Sequence, residues 1–217
     1  MKKSAWIFDL DGTLVDSVDQ IGFSINLARN DFGYKELPSE KIEELVGLPI
    51  QSFLSDLPLD NHKKDSLIIH FRKILEMEII RENIIFPGVE QLLTGLRAKG
   101  LKLAIATSKP TYLARLVVKN SPLSALFDVI QGTDGFPAKP DPTCILMAME
   151  ELGTSNAIMV GDRVEDIIAA KAAGIDSIGI ANSFHNSQAL KSAGALHAFD
   201  SFSDFANSYE SQNLLID

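Results

Sequence analysis

Two carboxylates stand one residue apart where the first apolar run of the chain ends. Ala5 to Phe8 is short and rich in β-favouring side chains, and Asp9 and Asp11 follow it. Residues two apart project to the same side of a strand, so both carboxylates should face one space beyond the strand's end. A proton or a cation relieves the repulsion between them. The pair is therefore a candidate catalytic or metal site, and a solvated Asp-Gly turn is the alternative.

Two later segments place anion-binding groups at strand ends. An apolar run from 101 to 106 ends in Thr107 and Ser108, just before a predicted helix. Hydroxyls and backbone N–H groups at a helix start can bind an anion, while ordinary helix capping is the alternative. Lys139 precedes Pro140 and Pro142, which stiffen the loop. We expect this lysine to present a fixed ammonium to a phosphate or carboxylate, and a solvated surface lysine is the alternative.

A second acidic pair follows the predicted strand at 157–160. If a helix begins near Asp162, then Asp162 and Asp166 lie four apart on one helical face. The helix dipole reduces the repulsion between Asp162 and Asp166 at a helix start. Bringing these two carboxylates next to Asp9 and Asp11 nevertheless requires a divalent ion. Hard oxygen ligands without a His or Cys cluster favour Mg²⁺.

Other polar residues are interpreted as structural. Arg163 and Glu165 alternate out of the acidic face and are assigned to the surface. Phe53, Phe71 and Leu75 are assigned to the core. The four histidines have neither zinc-ligand spacing nor an evident acidic partner, and are assigned to surface or capping positions: His62, His70, His185 and His197.

Composition narrows the function classes. The chain has 217 residues, 46% of them hydrophobic, with a net charge of −9 and a pI near 4.9. Duplex nucleic acid and anionic membranes require a cationic face, so neither is expected as a partner. Cys144 is the only cysteine, which excludes an intrachain disulfide and a cysteine zinc site. No apolar run has the length of a signal or membrane-spanning segment, and a cytoplasmic location is expected.

The order of elements predicts an α/β fold with a helical insertion. Residues 16–84 have helical spacing throughout, whereas strands and helices alternate from 85 onward, which predicts a parallel sheet. We predict a core of residues 1–15 and 85–217 and a cap of residues 16–84 that covers the site. A last strand is predicted at 195–199, and the polar tail beyond Ser208 is expected to fray.

These motifs resemble, in order and spacing, those of a known superfamily. Asp9-Leu-Asp-Gly-Thr13, Thr107, Lys139 and Gly161-Asp162 with Asp166 are similar to the four motifs of the haloacid dehalogenase superfamily. The insertion resembles its C1-type cap, and the chain is most similar to the phosphoglycolate phosphatase-like hydrolases. The resemblance covers essentially the whole chain and implies a three-layer α/β core.

The resemblance also implies roles for the motif residues. Asp9 would be the nucleophile that forms an aspartyl-phosphate, and Asp11 the general acid and base. Thr107, the Ser108 amide and Lys139 would bind the transferring phosphoryl group. The implied Mg²⁺ ligands are an Asp9 carboxylate oxygen, the Asp11 backbone carbonyl, Asp162 and, directly or through water, Asp166. The implied partner is a small phosphorylated metabolite, and the chain would be a monomer or homodimer.

Alternatives remain open at this point. A sugar-phosphate mutase of the same fold usually carries Val at the position of Thr13. The threonine in this chain therefore favours a hydrolase over a mutase. A phospho-accepting receiver domain combines similar groups, but its acceptor follows the third strand and it has no helical lid. Residues 47–52 resemble the specificity loop of the family and contain no cation. A substrate carboxylate would therefore need another partner, for which Arg72 and Lys109 are the candidates.

Overall fold

A six-stranded parallel sheet forms the centre of the molecule in the computed structural model, which describes residues 3–181 and 186–210. The strands are β1 (Ala5–Phe8), β4 (Lys102–Ala106), β5 (Val129–Gln131), β6 (Ala157–Gly161), β7 (Asp176–Ile180) and β8 (His197–Phe199), in the order β5-β4-β1-β6-β7-β8. Phe8 at the end of β1 lies opposite Ile105 of β4 and Val160 of β6. The chain leaves β1 toward β5 and later returns to β6, so the strand order reverses beside β1. Open α/β sheets bind ligands at this switch point.

Helices cover both faces of the sheet. Side chains of β1 alternate between them: Trp6 and Phe8 pack into one apolar cluster, Ala5 and Ile7 into another. The first face is covered by α4 (Val89–Ala98), α5 (Thr111–Lys119) and α9 (Phe202–Glu210). The second is covered by α6 (Thr143–Leu152), α7 (Val164–Ala172) and α8 (Ser187–Ala193). The predicted three-layer α/β core with a parallel sheet is confirmed.

The regular elements of the inserted segment are helices, joined by loops, except at its two ends. It contains α1 (Val18–Asp31), α2 (Ser39–Leu45), a 3-10 turn (Ile50–Leu54) and α3 (Asn61–Arg81). The short strands β2 (Val15–Asp16) and β3 (Ile84–Ile85) pair antiparallel where the chain enters and leaves it. The prediction of helix from 16 to 84 was therefore wrong at both ends, because two-residue strands are too short to leave a periodic pattern. The division into core and cap domains stays a prediction.

The end of the described chain is more ordered than its composition indicated. Helix α9 extends to Glu210. The prediction that the tail frays beyond Ser208 was therefore wrong for residues 209 and 210. The Phe205 ring stacks on Trp6 with centroids 5.9 Å apart, and Tyr209 meets Trp6 edge-on at 5.4 Å. Aromatic rings spaced three and four residues apart give the helix an apolar face despite its polar average. Residues 211–217 lie outside the described part.

Two further observations concern the length of the helices and the single cysteine. Within 3–181 and 186–210, no helix combines the length and apolar composition needed to cross a membrane. Cys144 is buried as a free thiol, and burial raises the pKa of its thiol to about 11. A thiol with a pKa this high stays protonated near neutral pH and packs as a small apolar group.

Candidate active site

Strand β1 delivers both predicted carboxylates to the carboxyl edge of the sheet. Asp9 and Asp11 are buried there, and the Asp9 N–H donates to the carbonyl of Val160 at 2.9 Å, which continues the pairing with β6. From the sequence, either a proton on one carboxylate or a cation between them was expected to relieve their repulsion. In the structure a different lysine lies beside each carboxylate: Asp9 Oδ1 lies 2.8 Å from Lys139 Nζ, and Asp11 Oδ1 accepts a hydrogen bond from Lys109 Nζ at 2.7 Å.

Lys139 is fixed from three directions. Its buried ammonium lies 2.8 Å from Asp9 Oδ1 and 2.6 Å from Asp166 Oδ1, and it donates to the Ala106 carbonyl at 3.1 Å. Burial alone would lower the pKa of Lys139, but the carboxylates of Asp166 and Asp9 outweigh burial and raise it above its usual range. The alternative of a solvated surface lysine is therefore wrong, and the group is a permanent positive charge among carboxylates.

Asp9 is held in an environment that does not favour its charge. Burial raises the pKa of Asp9 to about 6 in the metal-free protein, although the charge of Lys139 opposes this rise. Asp9 Oδ1 lies against the Lys139 ammonium, which it shares with Asp166. A buried carboxylate oxygen in this state is costly unless a further cation compensates it.

Three carboxylates form a group that fits a divalent cation. Asp9, Asp162 and Asp166 are all buried, and one carboxylate oxygen from each lies within 4.8 Å of the others. An all-oxygen, anionic set of this kind suits Mg²⁺. The Asp11 carboxylate is not a member of this group and is paired with Lys109. The metal contact predicted for Asp11 through its backbone carbonyl stays a prediction.

Glycine backbone makes room for two of these carboxylates. Gly12 has a φ of +83°, and a Cβ there would lie 2.4 Å from Asp162 Oδ2. A Cβ at Gly161 would lie 2.3 Å from Asp166 Oδ2. Thr13 Oγ1 donates to Asp162 Oδ1 at 2.6 Å and orients that carboxylate. Because side chains are absent at both glycines, the carboxylates rest directly against the main chain.

The second acidic pair is not arranged on one helix as expected. Helix α7 begins at Val164, so Asp162 precedes it and only Asp166 lies in its first turn. Asp166 Oδ2 accepts from the Arg163 N–H at 3.0 Å and so caps the helix start. The condition of a helix start near Asp162 is therefore not met, but both carboxylates still belong to the same group.

Thr107 and Ser108 follow β4 at the same edge of the sheet. Helix α5 is preceded by Pro110 and has no side-chain cap, so the alternative of ordinary helix capping is wrong. The buried Thr107 Oγ1 accepts from the Lys109 N–H at 3.3 Å, which leaves its hydroxyl hydrogen to donate elsewhere. Ser108 lies on the wall of the adjoining cavity. Their role in phosphate binding stays a prediction.

A cavity of about 440 Å³ lies between this edge and the inserted helices. Asp11, Ser108 and Lys109 line it from the core. The cap contributes residues 47–51, most of the loop that resembles the specificity loop, together with Arg72 and three side chains that the sequence assigned to the core: Phe53, Phe71 and Leu75. All three are buried as expected, and they also form part of the cavity wall.

Arg163 joins the core to the cap, contrary to its assignment to the surface. It is buried, and its Nη1 donates to the carbonyls of Glu44 at 3.1 Å and Val46 at 2.9 Å. A Cβ at Gly47 would lie 2.7 Å from Arg163 Cδ, so glycine lets the loop approach this side chain. The pattern within α7 could not reveal this contact, because the partners lie more than a hundred residues earlier.

We expect Arg163→Met to raise KM for a phosphomonoester about tenfold, with a smaller change in kcat. The substitution removes the two hydrogen bonds to the cap, together with the contact of Arg163 Nε with Glu165. Hydrogen bonds from a charged donor contribute about 1.5–3 kcal/mol each. The loop at 47–51 would then no longer be held over the cavity. Steady-state kinetics with p-nitrophenyl phosphate measure the effect, with Arg115→Met on the exposed face of α5 as control. An unchanged KM in Arg163→Met would contradict this role.

One histidine also has a partner that sequence spacing could not predict. His70 Nε2 lies 2.7 Å from Asp31 Oδ2, across the α1–α3 contact. The prediction that no histidine has an acidic partner was therefore wrong for His70. His62 is exposed and His197 half-buried, and His185 lies outside the described residues.

Comparison with known proteins agrees with this geometry. Residues 6–180 match the family model of haloacid dehalogenase-like hydrolases. The chain is 31% identical to a phosphoglycolate phosphatase of Colwellia psychrerythraea, over 94% of this chain and 95% of that protein. It is 30% identical to a 5'-nucleotidase of Pseudomonas aeruginosa, over 88% of each.

A solved structure gives the same result at the level of the fold. The chain is similar to the crystal structure of a predicted phosphatase from Clostridium acetobutylicum, with a TM-score of 0.86 and 31% identity over 97% of this chain and 100% of that one. The sequence match, the fold and the residues at the end of β1 agree with one another. The chain therefore belongs to the haloacid dehalogenase-like hydrolases and is a phosphatase of that family.

Proposed function

We propose that this chain is a magnesium-dependent phosphomonoester hydrolase that acts on a small phosphorylated metabolite through an aspartyl-phosphate. The observation that carries the proposal is the convergence of Asp9, Lys139, Asp162 and Asp166 at the sheet edge, next to a cavity beneath the cap. These residues are far apart along the chain. Their joint burial is costly unless the arrangement serves a charged ligand.

In the proposed reaction, Asp9 supplies the nucleophilic oxygen. One carboxylate oxygen of Asp9 forms a bond to phosphorus while the bond between phosphorus and the alcohol oxygen breaks. Asp11 gives a proton to the departing alcohol oxygen and later takes a proton from the water that attacks phosphorus. That attack releases phosphate and restores the Asp9 carboxylate.

The charges of the neighbouring groups make this approach feasible. A phosphate dianion is repelled by an anionic nucleophile, and the fixed ammonium of Lys139 reduces that repulsion. Asp9, Asp162 and Asp166 would hold Mg²⁺, which when bound neutralises further negative charge at the phosphoryl group. The Thr107 hydroxyl and the Ser108 amide would orient the phosphoryl oxygens.

The alternatives are less well supported. Thr13 occupies the position where mutases usually carry Val, and its hydroxyl donates to Asp162. Asp9 follows the first and central strand of the sheet, and the family match covers this segment, which speaks against a receiver domain. The related phosphatases act on phosphoglycolate or on nucleotides by their names, so they leave the alcohol part of the substrate open. A cytoplasmic location and a monomeric or homodimeric state stay predictions.

We expect hydrolysis of p-nitrophenyl phosphate to require Mg²⁺ and all three carboxylates of the group formed by Asp9, Asp162 and Asp166. Removal of divalent metal with EDTA, or Asp162→Asn, should lower phosphate release about 100-fold or more, because metal stabilisation of the reacting charge amounts to several kcal/mol. Asp65→Asn on the exposed face of α3 is the matched control. Full activity in EDTA, or in Asp162→Asn, would count against the proposal.

A further inference from the structure

The cavity beside the proposed catalytic groups is larger than a two-carbon acid requires. Its volume of about 440 Å³ is within the range of about 300–1,000 Å³ typical of pockets that enclose drug-sized ligands. Asp11, Ser108 and Lys109 mark the end at which the phosphate would react. A phosphoglycolate anchored there would end close to its own phosphate, and most of the cavity would remain unfilled.

The walls beyond that end combine apolar and aromatic side chains with polar groups. Phe53, Phe71 and Leu75 contribute from the cap, and Leu113 and Phe136 from the core. Such surfaces gain free energy by covering a flat or apolar group, and they gain little from a small, fully charged acid. The wall therefore matches a substrate whose alcohol part includes an extended ring system.

Arg72 is the polar group that stands out in this part of the cavity. It lies half-buried on α3, and its charge acts on the neighbouring Tyr112 phenol, but among the described residues no carboxylate forms an ion pair with it. By contrast, the ammonium of Lys109 is already paired with Asp11. A guanidinium carries a planar fork of donors that suits paired oxygen and nitrogen acceptors, and its face can stack on a ring.

We propose that the substrates of this site are nucleoside monophosphates, with the 5'-phosphate at Asp9 and the base between the aromatic wall and Arg72. This inference rests on the proposed phosphomonoesterase function. A nucleobase supplies both properties that the cavity selects for: a flat ring for the apolar wall, and ring and carbonyl acceptors for the guanidinium. The phosphate-ester bond to the ribose would be the one that breaks.

The test is a comparison of kcat/KM for UMP, GMP, AMP and phosphoglycolate at fixed Mg²⁺, with p-nitrophenyl phosphate as reference. We expect at least one nucleotide to exceed phosphoglycolate by about tenfold or more. Arg72→Leu should lower kcat/KM for that nucleotide by roughly 10- to 100-fold more than for p-nitrophenyl phosphate, because a good bidentate contact to a base contributes about 1–3 kcal/mol. Arg72→Lys should restore little of this loss, since an ammonium lacks the fork.

Controls separate this inference from the function on which it rests. Arg81→Leu changes an exposed arginine at the end of the same helix and should leave all ratios unchanged. If p-nitrophenyl phosphate is hydrolysed with Mg²⁺ but phosphoglycolate is preferred, or if Arg72→Leu selectively impairs phosphoglycolate, the nucleotide assignment is overturned while the phosphatase function stands. Absence of any metal-dependent hydrolysis would overturn the function itself.

Discussion

Asp9→Asn is expected to lower the hydrolysis of any phosphomonoester by on the order of 10⁴-fold or more. An amide has no anionic oxygen to attack phosphorus, so the covalent route is closed and only positioning by the remaining groups persists. Phosphate release should be measured with Asp9→Ala alongside, since slow deamidation of Asn would restore Asp. Asp19→Asn, an exposed change in the first turn of α1, is the control.

Stability measurements show whether Asp9→Asn has simply unfolded the protein. In the metal-free protein the pKa of Asp9 is about 6, above its ordinary value of 3.8, so the folded state binds this proton more readily than the unfolded chain does. The stability that this group contributes is therefore lost as the pH rises from about 4 to above 6. Asp9→Asn does not titrate, so its thermal stability relative to the wild type should increase from pH 5 to pH 8. Activity close to the wild type in a folded Asp9→Asn protein would refute the nucleophilic role.

Lys139→Met is expected to impair both activity and stability. Loss of the ammonium leaves the buried carboxylates of Asp9 and Asp166 without their shared counter-charge. Breaking a buried ion pair by removing one partner typically costs about 3–5 kcal/mol. Loss of a preorganised positive charge at the reacting group should lower kcat by about 10²–10³-fold.

Metal dependence separates the charge effect of Lys139→Met from a packing effect. A cation bound by Asp9, Asp162 and Asp166 replaces part of the missing positive charge, so Mg²⁺ should raise the free energy of unfolding more in the variant than in the wild type. Urea denaturation with and without Mg²⁺ measures this difference. Lys119→Met, at an exposed position at the end of α5, should show the wild-type response. An equal response to Mg²⁺ in both proteins would contradict the electrostatic explanation.

The sequence was most informative where local pattern determines structure. Alternation of strands and helices predicted the parallel sheet, and the apolar run before Asp9 predicted a strand that ends at the carboxylate pair, because sheet topology follows from the order and character of elements. The strand ends therefore predicted that Asp9, Lys139, Asp162 and Asp166 would meet. Pairing between short or distant segments was not accessible: the β2–β3 ribbon and the contact of His70 with Asp31 depend on tertiary packing.

The same limit explains what was missed at the site. Lys109 was considered only as a partner for a substrate carboxylate, whereas it pairs with Asp11. Its position two residues after Thr107, at the same sheet edge as Asp11, is a signal that could have indicated this contact. Arg163 gave no such signal, because its acceptors are backbone carbonyls of the cap. Every residue has a backbone carbonyl, so the sequence does not show which carbonyl will accept a hydrogen bond.

One apolar cluster extends from Trp6 and Phe8 in the sheet through Leu113 to Phe71 and Leu75 in the inserted helices. The insertion therefore is not a detachable module. Excised alone, it would expose the surface that now rests on the core, and it would tend to aggregate. A chimaera that grafts the cap of a relative onto this sheet would need matched side chains on both sides of the junction, so new selectivity is more readily engineered by changing individual wall residues than by exchanging the whole insertion.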